Sequence, residues 1–265
     1  MSSSVAGPTV SRRFERAPFE GIWTREFMVF KRYWLSTSVS SVLQPVIYLL
    51  AFGLGVGTLV SSIDGISYVE FVGTGSVATA VLFASAFPGM FNTYVRRVFQ
   101  RTYDAVLAAP VDVAELVSAE ASWIAVKAGL YGSVPLVVTF FFGLTPTWGM
   151  LLVPFIATLT GLGFALFGMW VSAIVKTIDE TTYVTSAVLT PLFLVAGTFF
   201  PIVNLPRWAQ VAAQFNPLYH CVQLVRDVSF SWNTGHDLYH LGMLVVFTLL
   251  MWVLAVPALR KVLID

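Results

Sequence analysis

Six predominantly apolar runs, each about twenty residues or longer, follow one another along the chain, and no other feature restricts its fold as strongly. A helix of roughly 20 apolar residues crosses a bilayer. The runs cover residues 35–60, 66–94, 119–143, 148–175, 183–203 and 238–259. A water-soluble alternative fails on charge. Only 11% of the 265 residues are Asp, Glu, Lys or Arg, against about 25% in soluble domains. In hydrocarbon each backbone polar group must be satisfied within its own segment, so such runs read as helices. The expected fold is all-α and integral to a membrane. Six transmembrane helices form one domain over residues 35–265, and residues 1–34 form a tail and an amphipathic helix.

In that N-terminal segment Trp23, Phe27, Phe30 and Trp34 recur at helical spacing, with Arg25, Lys31 and Arg32 off their face. This pattern suits a helix lying in the membrane interface beside lipid. Gln44–Pro45 predicts a kink in the first span, because proline removes a backbone donor. Between the last two runs, Pro201, Pro206 and Pro217 break a moderately apolar stretch into pieces too short to cross. Such breaks are tolerated at membrane depth only under protein or around a cavity, so a re-entrant helical pair is expected. Twelve of the fifteen Lys and Arg residues fall on one side of this arrangement and two on the other, with Lys127 inside the third run. Positive charge marks the cytoplasmic face, which puts both termini in the cytoplasm and Asp64 and His236 outside.

The connection over residues 96–115 is patterned rather than merely polar. In RRVFQRTYDAVLAAP, residues Phe99, Tyr103, Val106 and Leu107 fall at i, i+4, i+7 and i+8, while Arg97, Arg101 and Asp104 lie on other faces. A short amphipathic helix ending before Pro110 is predicted. Asp112 and Glu115 then have the spacing of a capping box opening the next helix. An apolar stripe on a cytoplasmic loop calls for a cover, and the groove of a partner protein would supply it.

Two stretches carry a resemblance. YDAVLAAPVDVAELVSAE (residues 103–120) is similar to the segment after the second span in permease subunits of type 2 ABC exporters, among them nodulation-factor, polysaccharide and daunorubicin-type drug exporters. LVAGTFFPIVNLPRWAQVAAQFNPLYHCVQLVRD (residues 194–227) resembles that family's signature after the fifth span. Its elements here are Gly197, Phe200-Pro201, Leu205-Pro206, Trp208, Asn216-Pro217 and Arg226. The resemblance covers nearly the whole chain and implies a bacterial inner-membrane permease working as a dimer with a second copy or a paralogue. It implies that residues 97–107 couple to a separate ABC ATPase subunit, through Arg97, Phe99, Arg101, Tyr103, Asp104, Val106 and Leu107. It further implies an interface helix over 19–34 and an outer gate over 205–229. That gate would include Leu205, Pro206, Trp208, Asn216, Pro217, His220, Arg226 and Asp227.

No GxxxxGK followed by Ser or Thr occurs, so the chain holds no phosphate-binding loop. ATP and magnesium are expected on the partner, with no catalytic residue, cofactor or metal in this chain. The glycines of GLGVG (53–57), GTG (73–75) and GLG (161–163) are expected to let helices approach closely. Lys127 and Glu120, seven residues apart, read as a structural pair, as a lysine reaching the headgroups, or as charges with a functional role. Arg226 and Asp227 read as a structural ion pair or as contacts to the substrate. His236, Asp237 and His240 have metal-ligand spacing but fall where polar residues begin a span. Phe199 and Phe200 sit where aromatic belts form. Net charge of +1 gives no reason to expect nucleic acid, and the single cysteine, Cys221, excludes an intrachain disulfide. A secondary transporter or channel is the rival reading, weakened by spans almost without Asp, Glu or His. A membrane enzyme ranks last, since no nucleophile and base are paired.

Overall fold

The computed structural model describes residues 16–60, 62–63 and 65–264, and they are predominantly helical. α1 runs without interruption over Arg16–Leu50. The interface helix and the first span, expected as separate pieces meeting at residue 34, are therefore one rod. No proline or glycine stands at that junction to break it. The kink expected at Gln44–Pro45 falls on side chains outside the described residues.

A short antiparallel hairpin, β1 (Ser62–Ile63) and β2 (Ile66–Ser67), joins α1 to α2 (Tyr68–Phe87). Ser67 caps α2, and Glu70 returns a carboxylate to the Ser67 amide at 3.1 Å. α2 continues through π-helical turns at Pro88–Asn92 and Val95–Phe99, the first beginning at a proline that cannot donate to the preceding turn. α3 (Thr102–Leu107) and α4 (Val113–Gly132) follow, then α5 (Val134–Phe140) and α6 (Val153–Ile174). The capping box predicted for α4 is present: Asp112 accepts from the Ala114 amide at 2.8 Å, and Glu115 accepts from the Asp112 amide at 3.0 Å.

The fifth run forms α7 (Ile178–Val184), a π-turn at Thr185–Leu189 and α8 (Thr190–Leu194). Its helix stops at residue 194, short of the expected 203, because the chain turns through Gly197 at φ +80°. The proline-broken stretch gives α9 (Arg207–Ala213) and α10 (Pro217–Phe230), and α11 (Thr234–Leu263) closes the fold. Two short helices before the last span match the expectation from the prolines.

Among the described residues, four helical segments are long and apolar enough to cross a membrane: Tyr68–Phe99, Val113–Phe140, Trp148–Ile174 and Thr234–Leu263. Large apolar side chains cover the outside of α11, including Leu238, Val246, Leu249 and Val253. A stripe of this kind is stable against lipid and costly against water. The core lies where α2, α6, α10 and α11 meet, around Val77, Leu82, Met90, Phe164, Leu218 and Leu244. Backbones approach closely at Gly89 and Gly168, where a Cβ would stand 2.6 Å from the carbonyls of Ala165 and Ala86 respectively, and more closely still at Gly149, against the Val228 carbonyl. A Cβ would also come within 3 Å of another atom at the predicted motif glycines: of the Thr198 carbonyl at Gly75, and of the side chains of Thr139, Ala128 and Phe247 at Gly73, Gly161 and Gly163. GLGVG departs from that prediction. Gly53 and Gly57 have room for a methyl group, and among the described residues a Cβ placed on Gly55 would meet no atom within 4 Å.

Candidate functional site

The long helices carry one polar cluster at the arginine-rich end and another at the opposite end. At the arginine-rich end Glu120 of α4 is the centre. Its carboxylate, 2% exposed, accepts from Arg25 of α1, from Arg96 at 2.8 Å and from the Tyr103 hydroxyl. Glu26 accepts from Arg25 at 2.7 Å and from Arg96 at 3.0 Å, which closes a square of two cations and two anions. Four elements thereby meet at one point: α1, the end of the second span, α3 and α4. The expected Glu120–Lys127 pair is not formed. Seven residues along α4 is about 10 Å, and Glu120 is held by the arginines, while the Lys127 ammonium lies 5.8 Å from the centre of the Trp123 ring.

This cluster also corrects the reading of the predicted coupling helix. The stripe assumed one helix through residues 97–107, but Arg101 has a left-handed backbone, φ +49°. That residue resets the helix, so Phe99 and Tyr103 no longer share a face. Tyr103 is 1% exposed, packed with Ile22, Leu116 and Ala119 of its own chain. Burial first, and the Glu120 carboxylate second, hold its phenol well above the usual tyrosine range, so it remains a donor. Val106 and Leu107 are half-buried in the same cluster. Arg97 turns inward and donates to the Ser172 carbonyl at 2.6 Å, close to the end of α6. What faces outward is Val98, Phe99 (66% exposed), Arg101 and Asp104. The apolar surface left facing outward is thus smaller than the periodicity implied, and it is mounted on a pinned base.

The aromatic face of α1 is similarly divided. Trp23 donates to Ser122 at 3.0 Å, and Trp23, Phe27 and Phe30 set their rings edge-on around Trp123. Trp34 stands exposed. A second ion pair, Arg260 to Asp112 at 2.8 Å, ties the end of α11 to the start of α4.

At the opposite end Asn216 caps α10, accepting from the Leu218 amide at 3.0 Å and donating to the Leu192 carbonyl at 2.7 Å. Pro217 takes the first helical position, where no donor is missed. Gln210 donates to the Leu205 carbonyl at 2.8 Å, Pro206 precedes α9, and Trp208 is exposed. Arg226 and Asp227 do not pair. Successive helical residues point about 100° apart, and each finds another partner. Arg226 lies 3.6 Å over the Phe71 ring and donates to the carbonyls of Phe71 and Gly197 at 3.2 and 2.8 Å. Asp227 meets His236 Nδ1 at 2.8 Å. His236 Nε2 meets His240 Nε2 at 3.1 Å, His240 Nδ1 meets His220 Nδ1 at 2.6 Å, and His220 Nε2 donates to the Gln214 carbonyl at 2.9 Å. Spacing singled out these residues separately, but nothing in it joined α10 to α11.

Beside this end an open groove of about 780 Å³ is lined by Tyr48, Phe52, Tyr68, Phe193, Phe199 and Phe200, among others. Phe52 and Phe199 stack at 4.4 Å. Phe199 and Phe200, placed by their position near a span end in an aromatic belt or along a hydrophobic path, line this groove.

Comparison with known proteins matches residues 19–230 to the ABC-2 type transporter family. The chain is similar to nodulation protein J of Rhizobium meliloti (strain 1021), 31% identical over 240 residues, covering 91% of this chain and 92% of that protein. It is similar over the same shares to nodulation protein J of Rhizobium leguminosarum bv. trifolii, also at 31%. The inner membrane transport permease YadH of Escherichia coli (strain K12) is 26% identical over 228 residues, 86% of this chain and 89% of that protein.

Proposed function

The chain belongs to the ABC-2 type transporter family, and from that premise we propose that it is the membrane-spanning subunit of an ATP-driven exporter in the bacterial inner membrane. The cargo is an amphipathic drug, lipid or lipid-linked glycan, moved outward. The observation that carries this reading is the family match in a chain without a phosphate-binding loop. ATP and magnesium then reside on a separate ABC ATPase, and a second copy or a paralogue completes the permease. The relative whose name places it in an inner membrane supports the location. Six spans with both termini in the cytoplasm fit the distribution of lysine and arginine. The aromatic groove supports an amphipathic cargo, since such walls shelter apolar groups and stack on rings.

The exposed ridge of Val98, Phe99, Arg101 and Asp104 is the surface on which the ATPase acts. The square around Glu120 transmits its displacement to α1 and α4 together. Burying a phenylalanine contributes about 1.5–3 kcal/mol, so Phe99→Asp is expected to weaken ATPase association about tenfold or more. The variant should leave insertion unchanged, because Phe99 contributes little to the chain's own core. Co-purification with the ATPase and export from cells measure the effect. Normal partner retention and export in Phe99→Asp would remove this surface from the mechanism. Labelling of a cysteine at position 104 in a Cys221-free background, from the cytoplasmic side only, tests the orientation.

A further inference from the structure

With all three histidines neutral, hydrogen-bond direction fixes which ring nitrogen of each carries its proton. The Gln214 carbonyl can only accept, so His220 carries its hydrogen on Nε2 and presents a bare Nδ1. His240 must then donate from Nδ1 to His220 and accept at Nε2. His236 in turn donates from Nε2 to His240, which leaves its Nδ1 as a lone pair. That lone pair points at Asp227 Oδ2 from 2.8 Å. With all three rings neutral, two acceptors face each other, an arrangement that holds only with a cation between or beside them.

Asp237 adds a second anion at the same place. It is 7% exposed, its Oδ2 accepts from the Asn233 amide at 3.1 Å, and its Oδ1 has no hydrogen-bond partner. One ligand atom from each of Asp227, His236 and Asp237 lies within 4.8 Å of the other two. Two ligands of one tetrahedral zinc ion lie about 3.4 Å apart, so side-chain rotations that shift the ligand atoms by about an ångström close the site. A single proton on the histidine chain would satisfy Asp227 alone, leaving Asp237 Oδ1 unpartnered and one negative charge uncompensated. A divalent ion answers both carboxylates and the lone pair together.

We propose that Asp227, His236 and Asp237 bind a first-row divalent metal ion at the junction of α10 and α11, with His240 orienting His236 through its Nε2. One imidazole and two carboxylates suit zinc better than magnesium or calcium, which favour all-oxygen shells. His236 is 49% exposed on its side chain, so water reaches the site and completes the coordination. A bound ion would fasten the short α10 to the last span.

The test uses the full chain, purified in detergent without a histidine tag and stripped with a chelator. Zinc chloride is titrated against a chromophoric chelator, with excess magnesium chloride present. About one zinc per chain is expected, undisplaced by magnesium and weakened at least tenfold by His236→Ala or Asp237→Asn. His240→Ala should weaken it about tenfold, the usual effect of losing an orienting partner. The exposed His236 and the isosteric Asp237→Asn leave the fold intact, which matching elution and unfolding temperatures of the metal-free proteins verify. Equal zinc binding by wild type and His236→Ala would overturn the proposal, as would displacement by magnesium. No zinc binding by wild type would also overturn it and assign the gap to a proton.

Discussion

Replacing Glu120 by Gln keeps the shape of the side chain and removes one negative charge from the square at the arginine-rich end. Arg25 and Arg96 are then left with Glu26 alone, a net charge of +1 at a point where Glu120 itself is 2% exposed. Breaking a buried pair by removing one partner costs about 3–5 kcal/mol. Both arginines are partly exposed and recover some solvation, so the expected loss is about 2–3 kcal/mol. The internal comparison is Asp112→Asn. Asn still caps α4, while the Arg260 pair it loses is exposed and is worth about 1 kcal/mol at most. Unfolding in mixed micelles by titration with a denaturing detergent gives both numbers. Tyr103→Phe should fall between them, at about 1.5–2 kcal/mol, for the loss of one hydrogen bond to a charged group. A Glu120→Gln loss no larger than that of Asp112→Asn would refute the argument that burial makes this square the anchor of four elements.

Gly168→Val should destabilise by about 1–3 kcal/mol or prevent folding, because its Cβ would stand 2.6 Å from the Ala86 carbonyl. Gly242→Ala, with nothing within 4 Å, should be neutral or stabilise by about 0.5–1 kcal/mol; thermal unfolding compares the two. Arg226→Lys should lose about 1–2 kcal/mol by the same measurement, since an ammonium cannot both bridge the Phe71 and Gly197 carbonyls and lie flat on the Phe71 ring. Unchanged stability would mean that the turn after α8 holds without it.

The membrane class, the helical runs and the breaks between them were legible because each depends on the chain's local order. Apolar length decides what crosses a bilayer, and Pro206 and Pro217 interrupt helices wherever the chain goes. Asp112 and Glu115 capped α4 as their spacing predicted, since a capping box closes within four residues. The similarity of residues 103–120 and 194–227 to type 2 exporters was likewise visible in the sequence, and the family match bears it out. Partner choice was not local. Arg226 and Asp227 are neighbours in sequence but point apart on α10, and each bonds to an element far along the chain. The stripe from Phe99 to Leu107 obeyed helical spacing, yet one left-handed residue, Arg101, split it. Packing of α1 and α4 then hid Tyr103, while Phe99 stayed outside. Sequence by itself determined that the chain is predominantly helical and carries helices apolar enough for a membrane, because hydrophobicity and backbone geometry act over a few turns. Only the tertiary structure decided which charges meet and which aromatic rings remain exposed, because those depend on helices brought together from distant parts of the chain.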